Sequence, residues 1–558
     1  MSAQEIHKPL ETHRTHEVKN QPSPLSGYNA FTTNRVLVEA LEREGGGWAK
    51  DKVSKLGEIS GGIASEWGER ANENPPKLHT HDRFGNRWDY VEFHPNWHDL
   101  MRTSVEFGIH ALPWQEPRPG AHVARAAMMM TMGMAEAGHI CPISMTYSAI
   151  PALRVTPEVA KEWEPKLASG KYDGRLLPSS QKTGCIAGMA MTEKQGGSDV
   201  RANTTVAKPI TAAKGPGAEY ALTGHKWFCS APMSDVFLVL AQAPGGLSCF
   251  AVPRFLPDGT KNVFNLQRLK DKLGNRSNAS SEVEFDGTWG RMVGEEGRGV
   301  PTIIEMVNHT RLDCVLGSAA GMRLGVVYAL HWTANRSAFG RVLNQQPLMM
   351  NVLADLCVEA EAGTVTAMRL ARAYDEAARG DARQQQFRRI ATAIMKYWTC
   401  KRGPAHAHEA MECLGGSGYV EASGAPRLYR EAPLNGIWEG SGNVICLDVL
   451  RALAKEPSAL DAFVEEVELG ATKDRRVANY VDALKREFED LSTIEVRARN
   501  VVEKLALALQ ASLLVRHGNS AVTEAFIASR LNGDWGHAFG TLPPGTDFKT
   551  IIERHQPV

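Results

Sequence analysis

The sequence predicts an α+β protein in which a helical domain, a small β domain, a helical bundle and a helical extension follow one another along 558 residues. Three observations carry that reading. Apolar runs of helical composition fill the first third of the chain. β-Branched and alternating runs are confined to its middle, and long helical patterns return after Pro301.

The first domain, residues 1–184, opens on a polar stretch, Met1 to Gly27, with Glu5, Glu11 and Glu17 among His and Lys. It lacks the apolar segment of a secretory signal, and its acids oppose a transit peptide. Asn34 to Glu44 and Ala121 to Ala137 have helical composition, punctuated by Asn74-Pro75-Pro76 and by Pro117 to Gly120. In residues 185–292 the pattern changes. Val236 to Ala243 and Leu247 to Val252 are apolar runs separated by Pro-Gly-Gly, the signal of a hairpin, and Glu282 to Phe285 alternates as a half-buried strand does. Residues 293–455 predict helices over 301–335, 346–376, 383–413 and 442–455, long enough to bury continuous stripes against one another in a bundle. Glu456-Pro457-Ser458 marks a break. The extension, residues 456–558, is helical over roughly 459–533 and ends in a tail from Pro543-Pro544 to Val558.

Formal net charge is zero, so no global field favours nucleic acid or an anionic surface. The nine cysteines include no CxxC pair, which argues against a disulfide framework or zinc cluster and suits a reducing compartment. The Met-rich run Ala126 to Ala135 and the run Leu505 to Val515 are too short to span a bilayer. A cytoplasmic protein without a membrane partner is expected. His79-Thr80-His81 and His406-Ala407-His408 lack Cys or acidic neighbours at ligand spacing, so no metal site is predicted.

Three glycine-rich patches call for a reason: Gly196-Gly197-Ser198, Gly415-Gly416-Ser417-Gly418 and Gly440-Ser441-Gly442. Glycine lets backbone approach a ligand, and free N–H groups at a turn hold phosphate. Each patch alone is more often a plain turn, and the chain has neither GxGxxG after a strand nor a P-loop. With their flanks the patches resemble the signatures of the acyl-CoA dehydrogenase family. Met191 to Asp199 is similar to its TE-x-x-x-GSD segment, Gly224 to Ser230 to its GxKxW strand and Arg336 to Gly340 to RxxFG. Glu412 to Tyr419 is similar to QxxGGxGY, and Trp438-Glu439-Gly440-Ser441 to the segment that carries the catalytic base. Segments such as Phe93 to His98, Arg254 to Gly259 and Arg427 to Asn443 resemble the family's adaptive-response flavoproteins more closely, which implies an extra C-terminal helical region.

The resemblance implies an FAD enzyme that dehydrogenates a small or branched acyl-CoA thioester at its α,β bond. Met191, Thr192, Gly197 and Ser198 would line the flavin and its phosphates. Phe228, where the family has Trp, and Ser230, where it has Thr, would wall the ring. Arg336, Phe339 and Gly416 resemble residues that reach the FAD of a neighbouring subunit, which implies at least a homodimer and, by family habit, a homotetramer. Ser441 and Asn443 would also touch the cofactor. Glu439 would be the base, in an apolar setting made by Ile437 and Trp438; its bland alternative is a charge at a helix N-terminus. Arg311 resembles an arginine at the substrate site. Beside it Thr310 stands where some branched-chain members carry their base, which leaves Glu439 without a rival. Glu412 replaces the usual glutamine, and Trp438 replaces a smaller aromatic and narrows the acyl pocket. The same subgroup is associated with alkylation damage and duplex DNA, which gives the alternative reading of a DNA-binding flavoprotein. Residues 451–558, however, hold 14 Lys and Arg against 16 Asp and Glu, a net of −2. Phosphate neutralisation would then rest on Arg475-Arg476, Lys485-Arg486 and Arg497/Arg499 gathering on one face.

Overall fold

A computed structural model describes residues 15–533 and 535–557. Glu5 and Glu11, which bear on the reading of the amino terminus, lie outside the described residues.

Helices α1 (Arg35–Arg43), α2 (Lys50–Ser60), α3 (Ile63–Glu73), α4 (Pro95–Glu106), α5 (Leu112–Gln115), α6 (Ala121–Ala135), α7 (Ile140–Leu153) and α8 (Pro157–Leu167) form the first layer. The Asn34 side chain caps α1 by accepting from Leu37 N, which gives that helix its start. A hairpin absent from the sequence reading, β1 (Lys77–His81) with β2 (Arg87–Glu92), interrupts these helices. Its strands are mostly exposed, so the apolar alternation that announces a strand is weak there.

Strands β3 (Ala187–Ala190), β4 (Val206–Pro209), β5 (Glu219–Ser230), β6 (Val236–Ala243), β7 (Gly246–Pro253), β8 (Asn265–Leu269) and β9 (Ser280–Val293) make the sheet, in the order β3-β6-β4-β5-β9-β7 with β8 on β9. β7 also pairs with β6, so the sheet closes on itself; the hairpin register runs from Val236↔Pro253 to Ala243↔Gly246. Val283 and Phe285 face inward and Glu284 outward, as alternation predicts. Glu282 departs from it and is buried, because Arg268 and Lys270 reach its carboxylate at 2.8 and 2.9 Å.

Helices α9 (Gly299–Ala334), α10 (Pro347–Ala378), α11 (Ala382–Glu412), α12 (Ala425–Glu431) and α13 (Gly442–Lys455) form the bundle. α9 is apolar on every side and runs through the centre of the protein; by length and hydropathy it could cross a bilayer, but its most apolar window is 78% buried inside the fold. At Glu456 the backbone turns and α14 (Pro457–Ala471) begins directly, with Pro at its first position. α15 (Arg475–Arg486), α16 (Ile494–His517) and α17 (Ser520–Phe526) follow, and the apolar face of α16, including Val501, Leu505 and Leu509, is buried. The segment after Pro544 is a docked element rather than a tail. α18 (Phe548–Arg554) buries Ile551 and Ile552, and Arg554 meets Glu361 at 2.9 Å on α10. Two buried isoleucines are too short a pattern to show a helix in sequence.

One buried ion pair ties the first layer to the bundle. Arg125 of α6 donates through Nη2 to Asp313 Oδ2 of α9 at 2.7 Å and through Nη1 to Oδ1, while Ser144 of α7 donates to Oδ2 at 2.6 Å. The Arg125 guanidinium also lies 3.7 Å from the Tyr147 ring centroid. Removing one member leaves an uncompensated charge in the core. Asp313→Ala is therefore expected to cost about 3–5 kcal/mol of stability, read as a lowered Tm in calorimetry of the purified protein.

Candidate active site

The sheet, α6, α7 and the bundle meet around a cavity of about 670 Å³. Met191, Thr192, Gly197, Ser198, Phe228 and Ser230 line it from the sheet, Thr310 and Arg311 from α9, and Glu439 and Ser441 from the segment before α13. Segments far apart in sequence are thus gathered on one space, as the resemblance implied.

The loop 191–199 is fastened by Glu193. Its carboxylate is fully buried, pairs with Lys226 Nζ at 2.8 Å and accepts from Thr204 N at 2.7 Å. Burial works against its ionised form, but the bonds from Lys226, Thr205 and Thr204 outweigh burial and hold the carboxyl well below the usual carboxylate range. Trp227 N donates to Thr192 O at 2.8 Å, which lays the loop along β5. A Cβ at Gly197 would stand 2.4 Å from Thr192 Oγ1, so this glycine leaves the threonine hydroxyl its place. Phe228 is half exposed, with its ring 4.7 Å from Lys270 Nζ.

Glu439 adopts a left-handed backbone, φ +55°, and Gly440 follows at φ +104°. Such a conformation costs a non-glycine residue about 1–3 kcal/mol and persists only when its surroundings impose it. Here they do. Lys396 of α11 donates Nζ to the carbonyls of Trp438, at 2.7 Å, and Gly440, and Arg311 donates Nε to the carbonyl of Glu439 at 3.0 Å. Arg311 in turn pairs with Asp448 of α13 at 2.8 Å. Trp438 Nε1 donates to Asn435 Oδ1 at 3.0 Å, which fixes the indole on the cavity wall.

The Glu439 carboxylate accepts from Thr310 Oγ1 at 2.8 Å. Burial raises its pKa above the usual value, against the lowering by Thr310, Arg311 and Lys396. Thr310 Oγ1 also lies 3.0 Å from the Val307 carbonyl. One hydroxyl proton cannot serve both acceptors. A protonated Glu439 donates to Thr310, which then donates to Val307; an ionised Glu439 takes the threonine proton itself.

Four residues named from the resemblance stand apart from the cavity. Phe339 is 97% exposed at φ +52°, Gly416 is exposed, and Arg336 donates Nη1 to Asn20 O at 2.8 Å. Asn443 lies in the first turn of α13 and accepts from Arg499 at 2.8 Å. The histidine motifs also differ from expectation. His79 pairs across the hairpin with Glu92 at 2.8 Å, and the ligand atoms of His408, Glu409 and Glu412 lie within 4.8 Å of one another, because one helical turn places residue 412 beside 408. His406 is buried on the Leu356 carbonyl at 3.1 Å. Sequence reasoning missed Lys396, whose signal is a lone charge inside the apolar run Ile390 to Trp398, and it dismissed Thr310, which orients the carboxylate it cannot replace.

Family models match the first three parts of this architecture: the adaptive response protein AidB N-terminal domain over residues 20–174, the acyl-CoA dehydrogenase middle domain over 188–288 and the acyl-CoA dehydrogenase C-terminal domain over 297–454. AidB of Escherichia coli, assigned to the acyl-CoA dehydrogenases, is 46% identical over 520 residues, 92% of this chain and 94% of that protein. The chain belongs to the acyl-CoA dehydrogenase family, in its AidB-like group. Among solved structures, Caenorhabditis elegans ACDH-11 in complex with C11-CoA superposes with a TM-score of 0.82 at 26% identity, covering 97% of this chain and 94% of that one. An acyl-CoA dehydrogenase of Bacillus anthracis complexed with FAD shares the fold, with a TM-score of 0.64 at 17% identity over 83% and 86% of the two chains.

As an acyl-CoA dehydrogenase the protein uses FAD, and the cavity fits that group. A half-exposed phenylalanine ring and Met191 offer apolar faces, Thr192, Ser198 and Ser230 offer hydroxyls, and Gly197 keeps backbone open where a side chain would collide. Because Lys396 holds two carbonyls of the base segment, Lys396→Met is expected to leave both unsatisfied and to cost about 2–4 kcal/mol. Calorimetry and the flavin content of the purified variant, both lowered, check this.

Proposed function

We propose that the protein removes hydrogen across the α,β bond of a small or branched acyl-CoA thioester, with Glu439 as the base. The observation that carries this reading is the carboxylate of Glu439, turned into the cavity by an imposed backbone and held there by Thr310. FAD, when bound, accepts the hydride from the β carbon. The chain's own residues do the rest. Glu439 takes the α proton on a carboxylate oxygen, and enclosure by protein keeps that oxygen basic. Thr310 presents one donor to the ionised form, and becomes an acceptor once the proton has arrived. Met129, Met134, Met145 and Trp438 enclose the space and exclude water from it, which sustains the raised pKa. Trp438 and the nearby methionines leave room for a compact acyl group.

The exposure of Phe339 and of Gly416 supports the reading that a second copy of the chain covers them and that the active form is at least a homodimer. Duplex DNA is less well supported. Arg476 is held by Asp474 and Glu524 at 2.8 and 2.7 Å, Lys485 by Glu468 at 2.7 Å, and Arg497 by Glu487. Arg499 donates to Asn443. Phosphate would have to compete with these carboxylates for the same guanidinium and ammonium groups.

Mixed anaerobically with a branched short-chain acyl-CoA, the yellow holoenzyme is expected to bleach, and Glu439→Gln is expected to slow bleaching by about 10²–10⁴-fold while retaining flavin. Equal rates for the two proteins would remove Glu439 from the mechanism. A second outcome follows from the raised pKa. Activity is lost as pH falls through the Glu439 pKa, because the acid form cannot take a proton, and is regained above it. Thr310→Val removes a bond that favours the carboxylate, so the rising limb of the rate–pH profile is expected to move to higher pH; an unmoved limb would show that Thr310 does not touch the base in solution.

A further inference from the structure

The C-terminal extension lies beyond the three matched domains and holds a pocket of its own, which shares no residue with the catalytic cavity. Leu460, Phe463, Val464 and Val467 line it from α14. Val481, Leu484 and Lys485 line it from α15, with Phe488 just past the end of that helix, and Leu505 from α16. The positions on α14 and those in and after α15 are both spaced i, i+3, i+4, i+7, a full helical stripe on each side. Two such stripes ordinarily interlock to the density of a protein interior. Here they leave about 170 Å³ between them.

The space has a buried floor and an open edge. Phe463, Val467, Val481, Leu484 and Leu505 are buried, whereas Leu460, Val464 and Phe488 are half-buried. Three of the walls are valines, too short to meet across the gap. A shift of α14 that would close it is opposed by the packing two turns further along, where Gly470 N donates to Ser512 Oγ at 3.1 Å and a Cβ at Gly470 would stand 2.4 Å from Ser512 Cα. Lys485 is the one charged residue of the lining, and its ammonium is bound to Glu468 at 2.7 Å. No hydroxyl or amide side chain lines the pocket.

We propose that this pocket is a second ligand site, for an uncharged apolar molecule of about the size of one aromatic ring or a short alkyl group. Water would meet no side-chain partner on the floor, and a cavity of about 150 Å³ walled by Leu, Ile and Phe stays dry and takes benzene or xenon. A peptide segment fits poorly, because its backbone N–H and C=O groups would be left unmet against these walls. An anion would have to compete with Glu468 for Lys485. The guest enters at the edge formed by Leu460, Val464 and Phe488, where α15 is held to its surroundings by exposed ion pairs, Lys485 to Glu468 and Arg476 to Glu524. Pairs of that kind contribute little, so α15 gives way at low cost.

Crystals of the FAD-loaded full chain soaked with bromobenzene test this on the wild type alone. Bromine anomalous density between α14 and α15 is expected; its absence there, or ordered water in that space, overturns the inference. In solution, fluorobenzene binding is followed by fluorine NMR in the wild type and in Val467→Phe and Val481→Phe, whose added rings fill the gap. Fluorobenzene can also enter the catalytic cavity, so the reading is the component of binding that the variants remove. That component is expected to weaken by about ten-fold or more in both, with flavin content unchanged as the check on folding. Equal binding by the wild type and by a folded filled variant places the probe elsewhere and overturns the site.

Discussion

Three consecutive carbonyls, of Trp438, Glu439 and Gly440, are held by two cations, and the active site depends on that clamp. Lys396 comes from α11 and Arg311 from α9, so the segment bearing the base is fixed against both central helices of the bundle. A left-handed glutamate would relax to an ordinary turn if either cation were removed, and its carboxylate would swing out of the cavity. Asp448 completes the arrangement. By pairing with Arg311 it keeps that guanidinium on the carbonyl, and because it sits midway along α13 it couples that helix to the base.

The same helix α9 serves the other domains. One turn beyond Thr310 and Arg311, Asp313 receives Arg125 and Ser144, so the residues that orient the base and the residues that bind the first layer share one rigid element. The β domain is attached differently. Its loop 191–199 is tied down by the buried Glu193–Lys226 pair within the sheet. The cavity is therefore assembled from parts fixed by buried ion pairs, one within the sheet and one between the first layer and the bundle. Such pairs add little net stability relative to apolar packing, and what they contribute here is fixed geometry.

Sequence made the fold legible where periodicity was long. The helices expected at 346–376 and 383–413 and the hairpin between Val236 and Val252 are found at Pro347–Ala378, Ala382–Glu412 and β6–β7, because extended apolar faces leave little choice of structure. The hairpin β1–β2 and helix α18 escaped, being short elements whose burial comes from partners remote in sequence. The site divided in the same way. Met191, Thr192, Gly197, Ser198, Phe228, Ser230, Ser441 and Glu439 meet around one cavity, and their motifs point to it. Lys396 and Asp448 carry no such motif. Their places are set by helix packing, and a charge in an apolar run says only that some partner exists, not which one.

Burial favours the protonated form of Glu439, and a cation bonded to its carboxylate would favour the charged one. Arg311 and Lys396 are close enough to oppose burial, yet Lys396 gives its bonds to backbone carbonyls and Arg311 to the Glu439 carbonyl and Asp448, so among the described residues the carboxylate receives a direct bond only from the neutral hydroxyl of Thr310. A hydroxyl stabilises the charged form less than an ammonium or guanidinium would, and it can reverse its role from donor to acceptor as the proton arrives. That choice of partner keeps the base poised between its two states. It also explains why a threonine beside the conspicuous arginine matters to a reaction in which it has no acid–base chemistry of its own.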